Sequence, residues 1–312
     1  VDAHSRRHHC QRTGAGMIYD NLVRPFVDNE FLRNALIAAV LVSAVCAVAG
    51  TFVVLRGLAF AGDALAHGVV PGVAVATLAG FSGILGAAIG AGVMMAGVGV
   101  VSRRLKFSGD TSIGLLFVGM LALGVMIQSR SESFVGDLTT ILFGEVLGVT
   151  TSDIAWQIVA LVVVAAVAWT CRRPFLLMSV DDGLAATSGF RVGIYQNILL
   201  GLVAITVVAS FQTVGTLLVL GLLVAPAATG ALFAHRVGTV MLVAGVVGAV
   251  SSYVGLLLSY HADLAAGASI VLTSVVVFAL AATATETRKW WQHRKDIHHH
   301  HDQPHFHEHV HH

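Results

Sequence analysis

Nine apolar stretches dominate this sequence, each close to the roughly 20 residues of helix needed to cross a hydrocarbon core. They run Asn34–Leu55, Leu58–Gly80, Ile84–Val101, Thr111–Gln128, Ser152–Cys171, Ile194–Phe211, Val214–Ala234, Val240–Tyr260 and Leu264–Ala282, the second and seventh being the least regular. Inside a bilayer every backbone N–H and C=O must find a partner within the protein, so only helices and closed barrels span it. Barrel strands would show as shorter segments of alternating polarity, and these runs are continuous. The expectation is an all-α polytopic membrane protein, a bundle of about eight or nine transmembrane helices. Composition agrees: 11% of residues are charged and 56% hydrophobic, with a mean hydropathy of +0.82, where a soluble domain carries about 25% charge.

Three segments follow. Residues 1–31 form a polar leader, of which 1–16 precede Met17 and read as appended or upstream sequence; 32–285 form the transmembrane domain; 286–312 form a His-rich tail. The stretch Phe134–Val149 holds Asp137 and Glu145 and is expected to be an interfacial or re-entrant helix. Arg103, Arg104 and Lys106, then Arg172, Arg173 and Arg191, then Arg236, then Arg288, Lys289, Arg294 and Lys295 flank the spans. With nine crossings all four groups share one side, which the positive-inside rule makes cytoplasmic together with the C-terminus. An eight-span arrangement with both ends inside stays open. The net charge of +1 makes no case for a nucleic-acid partner, and Cys10, Cys46 and Cys171 are too scattered for a disulfide framework or a CxxC metal site. Gly86 and Gly90 form a GxxxG pair, expected to serve close helix packing within the bundle more readily than dimerisation.

Within the second run, "FAGDALAHGVVPG" carries Asp63 and His67. Four residues apart on a helix, they project from one face. An ionisable group this deep in a span usually faces a pathway or cavity, and carboxylate with imidazole suits a divalent first-row metal. Pro71 removes a helical hydrogen bond in the next turn. Two readings stand: a metal-translocation site, or a structural pair that merely satisfies itself. Two ligands are too few for a tight site, whereas two copies of this helix at a dimer axis would supply four.

The connection "RRPFLLMSVDDGLAATSGFRVG" contains a short helix from Asp181, with Asp182 and Gly183 in its first turn and Gly189 at its end, a pattern suited to helix termini. It reads as a docking element or as a surface connector. In the seventh run Pro226 is expected to interrupt the helix, with Gln212, Thr213 and Thr229 beside a path or simply packed. The tail places His298, His299, His300, His301, His305, His307, His309, His311 and His312 among Asp302, Phe306, Glu308 and Val310. An affinity tag would be uninterrupted, so a native metal-buffering tail is favoured; dense imidazole suits zinc, nickel or copper better than manganese. No GxxxxGK[ST] occurs in the 312 residues, so no P-loop nucleotide site is expected.

Taken together, "FVVLRGLAFAGDALAHGVVPGVAVA", "LLFVGMLALGVMI", "DDGLAATSGFRVG" and "FQTVGTLLVLGLLVAPAATGALFA", in this order and over roughly 32–282, resemble the permease subunits of bacterial ABC importers for zinc, manganese and iron. The resemblance implies a multi-pass plasma-membrane permease without catalysis of its own, working by alternating access. It implies a homodimer, two cytoplasmic ABC ATPase subunits and an extracytoplasmic metal-binding protein. Asp63 and His67 then face the dimer axis and contact the metal in transit, while Asp181–Gly189 becomes the cytoplasmic coupling helix. Zinc or manganese is cargo, zinc being favoured by the tail, and no permanent cofactor is expected. The rival expectation is an ATPase-independent metal transporter or channel with the tail as sensor; a structural membrane anchor would leave Asp63 and His67 unexplained.

Overall fold

In a computed structural model of the chain, residues 22–105, 109–129 and 148–300 are described. Among these residues the regular structure is all helical, with no strand. The helices are α1 (Arg24–Asp28), α2 (Glu30–Leu55), α3 (Ala59–Ala79), α4 (Gly83–Leu105), α5 (Gly109–Gln128), α6 (Thr151–Thr170), α7 (Arg172–Val180), α8 (Asp182–Thr187), α9 (Val192–Phe233), α10 (Val237–Ala262) and α11 (Ala266–His300). Eight stretches are long and apolar enough to cross a membrane, and Thr111–Ile127 of α5 is a shorter apolar one. The leader up to residue 21, most of Phe134–Val149 and the tail beyond His300 lie outside the described residues.

These helices are apolar on nearly all sides, as a membrane bundle demands, because lipid accepts the outward face and neighbouring helices the inward one. Val118, Leu242, Val246, Leu272 and Leu280 point outward and are exposed. The most buried spans are α2 and α3. Helix α2 packs against α6, α9 and α10, and α3 against α4, α5 and α9, so the helix bearing Asp63 and His67 runs through the interior.

Small residues set how closely the helices approach. A Cβ on Gly72 of α3 would overlap the Gly86 carbonyl and come within 2.9 Å of the Gly90 Cα on α4. The Gly86–Gly90 pair is therefore spent inside the subunit, leaving backbone against backbone, as small-residue motifs allow.

Helix α9 is two spans. Gly215 has φ 74° and ψ 162° in its middle, a conformation essentially confined to glycine. Val203 and Leu223 both abut Gly62 of α3; on an uninterrupted helix those two positions would stand about 30 Å apart. The halves thus fold back side by side as a hairpin. Its tip is tied to α6, where the buried Gln157 side chain donates from Nε2 to the Ala209 carbonyl at 2.8 Å and to Thr213 Oγ1 at 3.0 Å. The expected interruption at Pro226 is corrected: the helix continues through Pro226, and the break falls at Gly215. Thr229 donates to the Ala225 carbonyl at 2.8 Å, so its hydroxyl is satisfied within its own helix.

Chain reversals then alternate. The α2–α3 turn, the C-terminal end of α4, the α6–α7 junction, the start of α9 and the α9–α10 turn share one end of the bundle. Phe52 meets Phe175 there, with ring centroids 5.0 Å apart. Arg104, Arg172, Arg173, Arg191 and Arg236 mark it as the basic end.

Candidate metal site

Asp63 and His67 lie on α3, one turn apart, and α3 enters the bundle from the basic end. At 1.5 Å per residue, Asp63 sits about 6 Å and His67 about 12 Å along the helix from Ala59. His67 Nε2 is 3.4 Å from Asp63 Oδ1, and the two side chains are only 19% and 25% exposed. That separation is long for an N–H···O hydrogen bond, so the two groups are adjacent without being locked together. Two metal bonds of about 2.1 Å would span the 3.4 Å gap at an angle of about 108°, close to the tetrahedral value. His67 Nδ1 is buried and has no hydrogen-bond partner.

Two further features surround the pair. The His67 ring meets Phe117 of α5 edge-on, with centroids 5.4 Å apart, and Phe117 also meets Phe60 at 5.7 Å. The imidazole plane is thereby held by an aromatic wall. Pro71 lies within the continuous helix α3, and having no N–H it cannot bond the carbonyl four residues earlier. That carbonyl belongs to His67. The helix thus offers a carboxylate and an imidazole about one turn apart, an N/O pair suited to Mn²⁺, Fe²⁺ or Zn²⁺. Among the described residues no group of three or more His, Cys, Asp or Glu side chains converges, so one chain brings together two side chains able to bind a metal here.

The model of the ABC-3 family, described as ABC 3 transport family, matches residues 28–285. The chain belongs to the ABC-3 transport family. It is 37% identical over 252 residues to the manganese transport system membrane protein MntC of Listeria monocytogenes, covering 81% of this chain and 90% of that protein. A Haemophilus influenzae protein named as an iron transport system membrane protein is 34% identical over 271 residues, covering 87% of this chain and 99% of its own. Among solved structures, PsaBC from Streptococcus pneumoniae in complex with Fab superposes with a TM-score of 0.74 at 32% identity, over 83% of this chain and 95% of that one. The ABC-3 chain is therefore the membrane permease of a metal ABC importer, a transport subunit and not an enzyme.

The connection in this ABC-3 permease that contains Asp181 folds as two short helices. Asp181 is the N-cap of α8, its Oδ1 accepting from the Leu184 N–H at 2.9 Å. A side chain at Gly183 would come within 2.8 Å of that oxygen. At the other end Gly189 has φ 86°, the Gly189 N–H donates to the Ala186 carbonyl at 3.0 Å, and the Phe190 N–H to the Ala185 carbonyl at 3.1 Å, the paired bonds of a Schellman stop. Helix α7 before it has no counterpart in the sequence-based expectation. It forms because Pro174, Phe175 and Met178 are buried on one side, with Phe175 against Phe52.

Two side chains near these sites escaped sequence reasoning. Phe117 sits in an unremarkable apolar run, and only its meeting with His67 reveals it. Arg56 resembles any flanking cation, yet its Nη2 donates to Asp182 Oδ1 at 2.9 Å. The spacing of Arg56 just before the "GDALAH" helix was the one available signal. Of the tail, His298, His299 and His300 lie on the C-terminal extension of α11, and His301, His305, His307, His309, His311 and His312 lie outside the described residues.

Proposed function

We propose that this ABC-3 permease conducts a divalent transition metal, manganese first, through a path shared by two copies of the chain. Asp63 and His67 contact the ion in transit. The observation that carries the reading is the Asp63–His67 pair itself: two adjacent ligands of suitable chemistry, 3.4 Å apart and partly buried on an interior helix, with His67 Nδ1 unpartnered. Relatives named for manganese favour that ion. The zinc preference expected from the tail rests on histidines that take no part in this pair.

ATP is hydrolysed on separate ABC subunits that dock on α8 at the basic end, which faces the cytoplasm with the C-terminus, as its arginines favour. An extracytoplasmic binding protein delivers the ion to the opposite end of a bacterial plasma-membrane assembly. Alternating access moves the ion past α3. The tail from His298 onward buffers metal beside the exit and takes no part in the step itself.

The test is ⁵⁴Mn accumulation by cells expressing the importer. Asp63→Ala and His67→Ala should each reduce uptake to background while the permease still co-purifies with its ATPase. Wild-type accumulation in both variants would remove the pair from the pathway. Uptake into liposomes by the purified permease alone would instead establish an ATPase-independent carrier.

A further inference from the structure

We propose that Arg56 is the positioning residue through which α8 sets the orientation of the metal-bearing end of α3. This deepens the reading of α8 as the ATPase-docking helix and rests on it.

Arg56 and Asp182 are 126 positions apart, and their ion pair closes at 2.9 Å. The pair is lopsided. The Arg56 side chain is 8% exposed and Asp182 56% exposed, so the guanidinium belongs to the bundle and the carboxylate to the surface helix. An ordinary surface pair of this kind contributes little. Here a charge is buried, and Asp182 is the acid that neutralises it; Nη1 of the same guanidinium is buried with no hydrogen-bond partner. Among the described residues Asp182 is the one acidic partner of Arg56, and a buried charge holds such a partner firmly, because separation strands the charge in a low-dielectric site.

The connection from Arg56 to α3 has no slack. Arg56, Gly57 and Leu58 are all that separate α2 from α3. Their backbone N–H groups donate to the carbonyls of Phe52, Val54 and Val53 at 3.1, 3.0 and 2.8 Å, and the Leu58 carbonyl accepts from Ala61 at 3.0 Å and Gly62 at 3.3 Å. A pull on the guanidinium therefore reaches the first turn of α3 without being absorbed by a loop, and Asp63 stands at the end of that turn. The neighbouring Phe52–Phe175 contact joins α7 to α2 by packing alone. Packing tolerates sliding, whereas a directed ion pair does not, so the orientation-dependent link is Arg56–Asp182.

The experiment uses the whole importer, permease with its ATPase and binding protein in proteoliposomes, and measures Mn²⁺ ions moved per ATP hydrolysed. Arg56→Gln should lower that ratio about tenfold, within the span of coupling free energies between sites, while the complex still assembles. Asp182→Asn should do the same with α3 untouched. The exchanged pair Arg56→Asp with Asp182→Arg should recover most of the ratio, as a directed ion pair requires, while a merely structural role would change the yield of assembled complex and leave the ions moved per ATP as in the wild type. A wild-type ratio in Arg56→Gln or Asp182→Asn overturns the proposal, as does an exchanged pair no better than the single variants. If Arg56→Gln fails to assemble, Asp182→Asn decides alone. A wild-type complex without ATP-dependent uptake would instead defeat the docking reading of α8.

Discussion

At the scale of the residue, the chemistry of Asp63 and His67 contradicts the apolar surroundings of α3. Asp63 and His67 stand out in any apolar run, and helical spacing alone puts them on one face. Their companions were hidden for the opposite reason. Phe117 is one apolar residue among many, and only tertiary packing seats it against His67. The same asymmetry applies to glycine. Gly72 and Gly92 look alike in sequence, yet a Cβ at Gly72 would overlap the Gly86 carbonyl whereas at Gly92 it meets nothing within 4 Å. Gly72→Ala should therefore lower stability by about 1–3 kcal/mol, the usual scale of overpacking, while Gly92→Ala should be close to neutral. Thermal unfolding of the two variants in detergent, side by side, checks the contrast. Equal midpoints would mean that α3 and α4 do not approach backbone to backbone.

At the scale of the element, termini with chemical markers were readable and breaks without them were not. Helix α8 begins at an aspartate that caps it and stops at a glycine with positive φ, both recognisable beforehand. Sequence alone puts the break in this stretch at Pro226, the residue with a covalent reason to disrupt a helix. A proline needs only one lost hydrogen bond to be accommodated, and neighbouring helices in a bundle re-satisfy it. The reversal in α9, with no connecting loop, instead uses a φ/ψ combination closed to other residues, and Gly215 supplies it with φ 74° and ψ 162°. Gly215→Ala should destabilise the fold by about 1–3 kcal/mol, the cost of holding a residue with a Cβ in that region. Pro226→Ala should cost less, since the helix already runs through that position. Reversal of this order in unfolding experiments would return the turn to Pro226.

At the scale of the molecule, hydropathy specified the class of fold, since apolar runs of this length admit little else. The hairpin in α9 supplies a crossing that a continuous helix would lack, and that parity gathers the basic loops at one end. What hydropathy leaves open is how many copies make one path. A chain that brings together two side chains able to bind a metal, with no third His, Cys, Asp or Glu converging among the described residues, forms a poor cage by itself. A symmetric pair would double the ligands, because a two-fold axis places the same face of both subunits against each other. Co-expression distinguishes shared from separate sites. When wild-type and His67→Ala permeases are made in equal amounts and pair at random, about a quarter of the dimers carry two intact copies. If the path needs both, ⁵⁴Mn uptake should fall to about a quarter of the wild-type level for the same total permease, whereas two independent paths would leave about half. Purification through a tag on the variant should recover untagged wild-type subunits, showing that mixing occurred. Uptake near one half in that mixed population would assign a complete path to each chain, and with it a ligand set drawn from α3 of one subunit alone.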